Sequence, residues 1–338
     1  MLKLLNKHKT LIFRVGISII SLASVFFISR GRIHDAFGYL INAEWLPVVI
    51  ATILYFVSLG VVAERMGIIL VVQGIKLSFW RRYYLWLISL FFNMFLPSAV
   101  GGDIAKAYYI YKDTGKKMAS VTCVLLDRFF GLMSIVFIAF VAFIFARDQI
   151  SDPRIGEFIW AVTLIILFGT LFVTSRRFSR PAKALIIKLA PSKFKEEFQK
   201  LFDALELYRT RRGQFFVIFG MSISAQILFI LMAYWLAISI QIRLPLELYY
   251  LFMPIVALLT MIPSIGGLGV REAATVYFFQ KYVSVEQAFA FSLILDVFLY
   301  GVGALCGILY AVKGGASMKD MERLEEQSLK KGVEKYES

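Results

Sequence analysis

The 338-residue chain has few of the residues that build soluble catalytic or metal centres. It contains two histidines, His8 and His34, which lack any metal-ligand spacing. Its two cysteines, Cys123 and Cys306, each lie inside an apolar block, so we interpret them as packed hydrophobes rather than as a disulfide or a ligand pair. No Walker-type phosphate loop is present. We therefore expect no metal, no cofactor and no ATP-driven step.

Charged residues are also scarce, at 18% of the chain, against about 25% in soluble domains. Hydrophobic residues make up 59%, and the mean hydropathy is +0.73. Two apolar blocks, 83–97 and 249–263, have the length of re-entrant segments. Six more are long enough to cross a bilayer core of about 30 Å, namely 11–29, 46–63, 119–146, 157–175, 214–240 and 288–312. The chain is interpreted as an all-α integral membrane protein, with one membrane domain over residues 1–312.

The net charge of +14 is unevenly distributed. Between residues 176 and 212 there are eleven Lys and Arg against four Asp and Glu, and this segment joins two apolar blocks. Such a loop is typical of the cytoplasmic side and attracts anionic headgroups. Its apolar residues form one helical stripe, so 176–213 is predicted to be a basic amphipathic cytoplasmic loop and 313–338 a charged cytoplasmic tail. The expected partners are membrane lipids, and nucleic acid is excluded.

Loop charge also predicts how the chain threads the membrane. The basic, acid-free N-terminus is placed in the cytoplasm, and the first block lacks the cleavage site of a signal peptide. Arg65 and Arg82 count as cytoplasmic charges after the second span. If 83–97 crossed the membrane, Lys106 and the lysines after it would lie outside, so this block must enter from the cytoplasm and return. Block 249–263 must then enter from the outside. Both termini are expected in the cytoplasm, at the plasma (inner) membrane.

The two short blocks belong to an internal repeat. An offset of 166 lays the second predicted span on the fifth and the third on the sixth. The two halves, about 10–146 and 157–312, have opposite predicted orientations. We therefore predict an inverted-topology repeat in which each half has three transmembrane helices and one re-entrant helical hairpin. Eight residues recur at this offset: Tyr83, Tyr84, Leu85, Pro97, Ser98, Gly101, Ala107 and Tyr111.

Helix-breaking residues interrupt both short blocks. The first break contains Pro97, Gly101 and Gly102, and the second contains Pro263, Gly266, Gly267 and Gly269. Such breaks persist at membrane depth only where protein or water satisfies the backbone. They therefore indicate a polar path, and the amides freed at the new helix start could hold a phosphate.

Charged and polar residues lie close to these breaks. Asp103 and Lys106 share a helix face at i, i+3, where they form either part of a binding site or a surface ion pair on a cytoplasmic turn. Adjacent Arg271 and Glu272 allow the same two interpretations, and an arginine can grip phosphate with two parallel bonds. Asp127, Arg128 and Asp296 lie within apolar blocks, where charge is functional by default. Alternatively, Arg128 only extends to the cytoplasmic face and Asp296 accepts an interhelical hydrogen bond.

Three motifs resemble the membrane domain of lysylphosphatidylglycerol synthases. They are the run from Asn93 to Asp103, Asp127-Arg128-Phe-Phe-Gly131, and Pro263-Ser-Ile-Gly-Gly-Leu-Gly-Val-Arg-Glu272. The resemblance covers about residues 10–312 and implies movement of a polar-headed lipid between leaflets by a free-standing, flippase-like form. Many relatives are expected to have arginine where this chain has Lys106. About 25 residues follow the last block, too few for the soluble domain that transfers lysine in full-length synthases, so we expect no enzyme.

The leading hypothesis is a flippase or transporter for an anionic or lipid-phosphate headgroup. Arg128 and Arg271 are expected to contact the headgroup while Asp103 and Glu272 hold them. The pathway residues are completed by Asn93, Lys106, Asp127 and Asp296. The alternatives are a phosphatidylglycerol lysyltransferase-related enzyme, a transferase acting on a lipid carrier, and a structural partner of another membrane protein. The lipid-carrier transferase would need clustered acids, such as Asp103 and Asp127, to hold a metal ion.

Overall fold

The computed structural model describes residues 38–95, 101–146, 212–262, 264 and 267–312, together with 156, 157, 160, 161, 163 and 164. Within these ranges the chain is helical and contains no strand, which confirms the predicted all-α class. The helices are α1 Trp45–Val72, α2 Phe79–Phe95, α3 Gly101–Thr114, α4 Lys117–Ala146, α5 Arg212–Ser239, α6 Leu246–Leu259, α7 Val270–Phe279 and α8 Val285–Val312.

Four of these helices, α1, α4, α5 and α8, are long and apolar enough to cross a membrane. They contain four of the six predicted spanning blocks. The predicted span 11–29 lies outside the described residues, and so does most of 157–175, of which the described residues are helical. Residues 176–211 of the basic loop and the tail 313–338 also lie outside them.

The two short apolar blocks become two pairs of shorter helices. The first helical pair is α2 and α3, and the second helical pair is α6 and α7. Gly101 and Gly102 are the first residues of α3, while Gly267 and Gly269 lie in the turn that leads into α7. The predicted break residues Pro97, Pro263 and Gly266 are outside the described part of the chain.

The packing places each helical pair against the long helices. α1 packs along α5, α2 packs on α8, and α6 packs on α4. In the first helical pair α3 lies against α2 and α4, and in the second α7 lies against α6 and α8. Buried aromatic rings fill both regions, for example Phe92 and Phe130 in one and Tyr249 and Phe291 in the other. The second helix of each pair is thus held against the long helix that follows it.

Candidate functional site: two buried charge clusters

The first cluster is built around Asp127, in the first half of α4. Arg65 on α1 donates to Asp127 Oδ1 from Nε at 3.0 Å and from Nη2 at 2.6 Å. Its third nitrogen, Nη1, donates to the hydroxyl of Ser222 on α5 at 2.9 Å. The Arg65 and Asp127 side chains are only 5% and 4% exposed. One buried arginine therefore ties α1, α4 and α5 together.

The position of Arg65 inside α1 shows that the second span extends beyond the end predicted from the sequence. The prediction ended that span at residue 63 and counted Arg65 as a cytoplasmic loop charge, whereas α1 continues to Val72. The helix can continue because Asp127 and Ser222 satisfy the guanidinium inside the protein. A signal was present in the sequence, since the apolar run resumes directly after Arg65. Arg82 is likewise buried, with Nε donating to the carbonyl of Ala63 at 3.0 Å.

Lys106 and Asp103 on α3 extend this cluster. Lys106 Nζ lies 3.0 Å from Asp103 Oδ1 and 3.6 Å from Asp127 Oδ2. The ammonium also lies 3.5 Å from the centroid of the Trp86 ring on α2, which is a cation–π geometry. Because Lys106 is 2% exposed, its pair with Asp103 is a buried contact and not a surface turn.

Arg128 completes the cluster at its more open side. Its Nε donates to Asp103 Oδ2, and its side chain is 42% exposed. Both oxygens of the Asp103 carboxylate therefore face a cation, with Lys106 at Oδ1 and Arg128 at Oδ2. We call Arg65, Asp103, Lys106, Asp127 and Arg128 the cation cluster, because three cations face two carboxylates and leave a formal charge of +1.

Asn93 organises the start of α3 beside the cation cluster. Its side-chain oxygen accepts a hydrogen bond from the Gly102 amide at 2.9 Å, so one of the amides expected to be available for phosphate is occupied. A Cβ at Gly102 would lie 2.2 Å from the carbonyl oxygen of Ser89, which explains the need for glycine where α3 meets α2. Within the first helical pair, α2 and α3 are therefore held together by close backbone contact at Gly102 as well as by the charges of the cation cluster.

The second cluster joins α7 to α8. Arg271 Nη1 forms an ion pair with Asp296 Oδ1. Glu272 Oε2 accepts a hydrogen bond from the Gly269 amide at 2.7 Å and so caps α7. Asp296 thus pairs with Arg271, in addition to the neighbouring Glu272 that the sequence led us to expect beside it. We call Arg271, Glu272 and Asp296 the carboxyl cluster, because two carboxyl groups face one cation.

Glycine is required in the turn before α7. Gly267 and Gly269 have φ of 87° and 83°, in the region that side chains rarely adopt. A Cβ at Gly267 would lie 3.1 Å from Arg271 Nη2. The turn therefore leaves room for the guanidinium that binds Asp296.

The two clusters lie at different levels along α1. The ring of Tyr55 on α1 packs against that of Phe298 on α8, two residues from Asp296 of the carboxyl cluster, while Arg65 belongs to the cation cluster. Ten helical residues between Tyr55 and Arg65 correspond to about 15 Å. The structure thus groups Asp103, Lys106, Asp127 and Arg128 with Arg65, and groups Arg271, Glu272 and Asp296 separately.

Four apolar helices of spanning length, together with buried charges between them, define a multi-pass membrane protein. Residues 11–307 match the family described as the lysylphosphatidylglycerol synthase TM region, and the chain belongs to this family. The family resemblance seen in the three motifs is therefore confirmed, and it links the protein to lipid handling. No curated protein and no solved structure matches the chain.

Proposed function

We propose that this protein moves a lipid with an anionic headgroup between the leaflets of the membrane. The observation that carries the proposal is the cation cluster, in which three cations and two carboxylates are gathered among apolar helices. Charge inside a membrane bundle is costly, and it commonly marks a substrate pathway. The surplus cation favours an anionic ligand, and arginine and lysine are the usual phosphate-binding side chains.

Arg128 is the proposed headgroup contact. It is the most exposed member of the cation cluster, and its partner Asp103 also has Lys106 at 3.0 Å. If a headgroup phosphate takes Arg128, Asp103 keeps a cationic partner, so the Asp103–Arg128 pair can open without leaving a buried carboxylate unpaired. Arg271 contacts the headgroup later, in a state in which Asp296 has released it.

Alternating access through an inverted repeat is the proposed mechanism. The offset of 166 lays α1 on residues 211–238, a range shifted by one residue from that of α5. It lays α4 on residues 283–312, which end at the same residue as α8. It also carries α2 onto α6 and α3 onto α7, and the packing of α2 on α8 matches that of α6 on α4. These correspondences support two related halves with one re-entrant hairpin each, an arrangement that supplies two similar packings for opening to each leaflet.

In the proposed orientation the protein lies in the plasma (inner) membrane with both termini in the cytoplasm. The turns at the ends of α1 and α3 carry exposed basic residues at one end of the bundle. There Lys116 donates to the carbonyl of Gly74, and Arg81 in the first turn of α2 pairs with Asp113. This concentration of basic residues favours the cytoplasmic side. A cysteine at Lys116 should be protected from an impermeant external reagent, and labelling there in intact cells would reverse the orientation.

We further propose that the described helices carry no transferase activity. A lipid-carrier transferase would use Asp103 and Asp127 to hold a divalent metal, but these carboxylates are bound by Arg65, Lys106 and Arg128. A site with surplus positive charge suits an anion better than a metal ion. Purified protein supplied with lysyl-tRNA and phosphatidylglycerol should form no lysyl-lipid. Product formed at enzymatic rates would contradict this proposal.

The function can be tested in reconstituted vesicles that contain a short-chain fluorescent phosphatidylglycerol. Albumin extracts the reporter from the outer leaflet, so the slow phase of extraction measures movement from the inner leaflet. Wild-type protein should accelerate this phase, and Arg128→Gln should slow it about tenfold or more, since a charge-assisted hydrogen bond contributes about 1.5–3 kcal/mol. The matched control is Arg81→Gln, which removes an arginine from the partly exposed pair with Asp113. Extraction equal to that of protein-free vesicles, or an unchanged rate in Arg128→Gln, would refute the proposal.

A further inference from the structure

The carboxyl cluster contains two acidic side chains in direct proximity. Glu272 on α7 and Asp296 on α8 are 2% and 7% exposed. Arg271, which directly precedes Glu272 on α7, forms an ion pair with Asp296, so the two carboxyl groups lie beside the same guanidinium. Two ionised carboxylates have only acceptor oxygens, so a hydrogen bond between them requires that one of them carry a proton.

The partners of each oxygen leave a place for that proton. Asp296 Oδ1 is bound by Arg271, and Glu272 Oε2 is bound by the Gly269 amide. Asp296 Oδ2 is buried and has no hydrogen-bond donor within the described part of the chain. The neighbouring Glu272 carboxyl can supply a donor only in its protonated form. A shared proton would therefore satisfy an oxygen that is otherwise buried without a partner.

Charge balance leads to the same conclusion. With both carboxyls ionised, the carboxyl cluster would have a formal charge of −1 between apolar helices, which is unfavourable. One proton makes it neutral. Among the residues that the structure describes, the other titratable groups around it are tyrosines and a thiol, which are neutral at physiological pH and so do not supply a counter-charge. They are Tyr55 on α1, Tyr83 on α2, and Tyr300 and Cys306 on α8, while Tyr249 on α6 packs against Phe279 and Phe291.

We propose that Glu272 and Asp296 form a proton-binding site in which the two carboxyls share one proton beside Arg271. A second step rests on the proposed lipid movement: the proton crosses with the anionic lipid. Without the proton, the cluster is negative and repels an anionic headgroup. With it, the cluster is neutral and Arg271 is easier to withdraw from Asp296. A proton gradient would therefore drive anionic lipid in the same direction as the proton.

Conservative variants of the pair test the site directly. Glu272→Gln keeps an oxygen to cap Gly269, and Asp296→Asn keeps an oxygen for Arg271, so both preserve the local hydrogen bonds while removing one titrating group. The matched control is Glu247→Gln, which alters an exposed acid in the first turn of α6. Infrared difference spectra of purified protein, recorded against pH, should show a protonated buried carboxyl in wild type and in Glu247→Gln. The band should disappear in Glu272→Gln and in Asp296→Asn.

A transport measurement tests the coupling separately. In vesicles with a pH difference, wild-type protein should accumulate the fluorescent phosphatidylglycerol in the leaflet that faces the alkaline side. Glu272→Gln and Asp296→Asn should lose this accumulation. An infrared band that persists in both variants would overturn the proton site, and a wild-type lipid distribution independent of the pH difference would overturn the coupling. If the wild type moves no lipid at all, the proposed function fails, while the infrared result still decides whether the proton site exists.

Discussion

The first helical pair and the second helical pair are each joined to a long helix by an ion pair, but the acidic and basic partners exchange places between them. In each, an ion pair joins the second short helix to the long apolar helix that follows. In the first, the carboxylate Asp103 is on the short helix and Arg128 is on the long one. In the second, Arg271 is on the short helix and Asp296 is on the long one. Both pairs join residues 25 positions apart.

The two sites differ in the charged residues that surround each ion pair. The ion pair of Asp103 and Arg128 is joined by Arg65, Lys106 and Asp127, which give surplus positive charge and connect α1, α3, α4 and α5. Within the described ranges, Glu272 is the charged residue that joins the second ion pair, and it gives that cluster a surplus of carboxyl groups. The same arrangement of helices can therefore hold a cluster with surplus cations in one place and a cluster with surplus carboxyl groups in another, because the charge of a cluster depends on a few side chains.

The largest expected effect concerns the more extensively connected cation cluster. Arg65→Leu should lower the free energy of unfolding by about 3 kcal/mol, since it leaves buried Asp127 without its closest partner. Arg81→Leu removes an arginine from a partly exposed pair, with side chains 34% and 22% exposed, and should cost no more than about 1 kcal/mol. Unfolding in mixed detergent micelles measures both variants. Equal losses would mean that the cation cluster is no more stabilising than the surface pair.

Glycine substitutions compare how closely the two pairs are packed. Gly102→Ala should cost about 2–3 kcal/mol, because the added Cβ would overlap the rigid Ser89 carbonyl. Gly267→Ala should cost about 1–2 kcal/mol, from its φ of 87° and from displacement of the Arg271 guanidinium. Gly220→Ala in α5 meets no neighbouring atom and should be neutral or stabilising. The same unfolding measurement applies, and a larger loss at Gly267 than at Gly102 would reverse the expected order.

Removing Arg271 should affect transport more than stability. Arg271→Ala should slow movement of fluorescent phosphatidylglycerol about tenfold, which corresponds to about 1.4 kcal/mol. Its side chain is 16% exposed and the two carboxyls can take up protons, so the free energy of unfolding should change by about 1 kcal/mol. Leu259→Ala, an apolar change at the end of α6, should instead destabilise by about 2 kcal/mol and leave the rate nearly unchanged. Wild-type movement in Arg271→Ala would remove Arg271 from the pathway.

The smallest expected effect concerns a contact between the halves that has no counterpart at the repeat-related positions. The hydroxyl groups of Tyr109 on α3 and Tyr310 on α8 lie 2.7 Å apart, whereas the offset of 166 places Thr275 and Ile144 at the matching positions. Tyr109→Phe and Tyr310→Phe should each cost about 1 kcal/mol. The double variant should cost little more than either single change, as expected for one shared hydrogen bond. Additive losses would show that the hydroxyls act independently.

Much of the helical framework follows from local sequence. Apolar blocks 46–63, 119–146, 214–240 and 288–312 lie in α1, α4, α5 and α8, and the blocks at 83–97 and 249–263 correspond to α2 and α6. The membrane family also follows from motifs that can be read along the chain. These features depend on run length and residue type over short stretches. The predicted orientation, repeat and transport pathway remain predictions.

The charge partners were decided by tertiary structure. In the sequence Arg65 was taken for a loop residue, yet it binds Asp127, 62 residues away, and Ser222, 157 residues away. Arg271 is next to Glu272 in the chain but pairs with Asp296 on another helix. Sequence alone determined which residues bear charge among apolar helices. Which charges neutralise one another depends on side-chain direction and helix packing, because a buried charge is stabilised by whatever lies within a few ångströms of it, regardless of its distance along the chain.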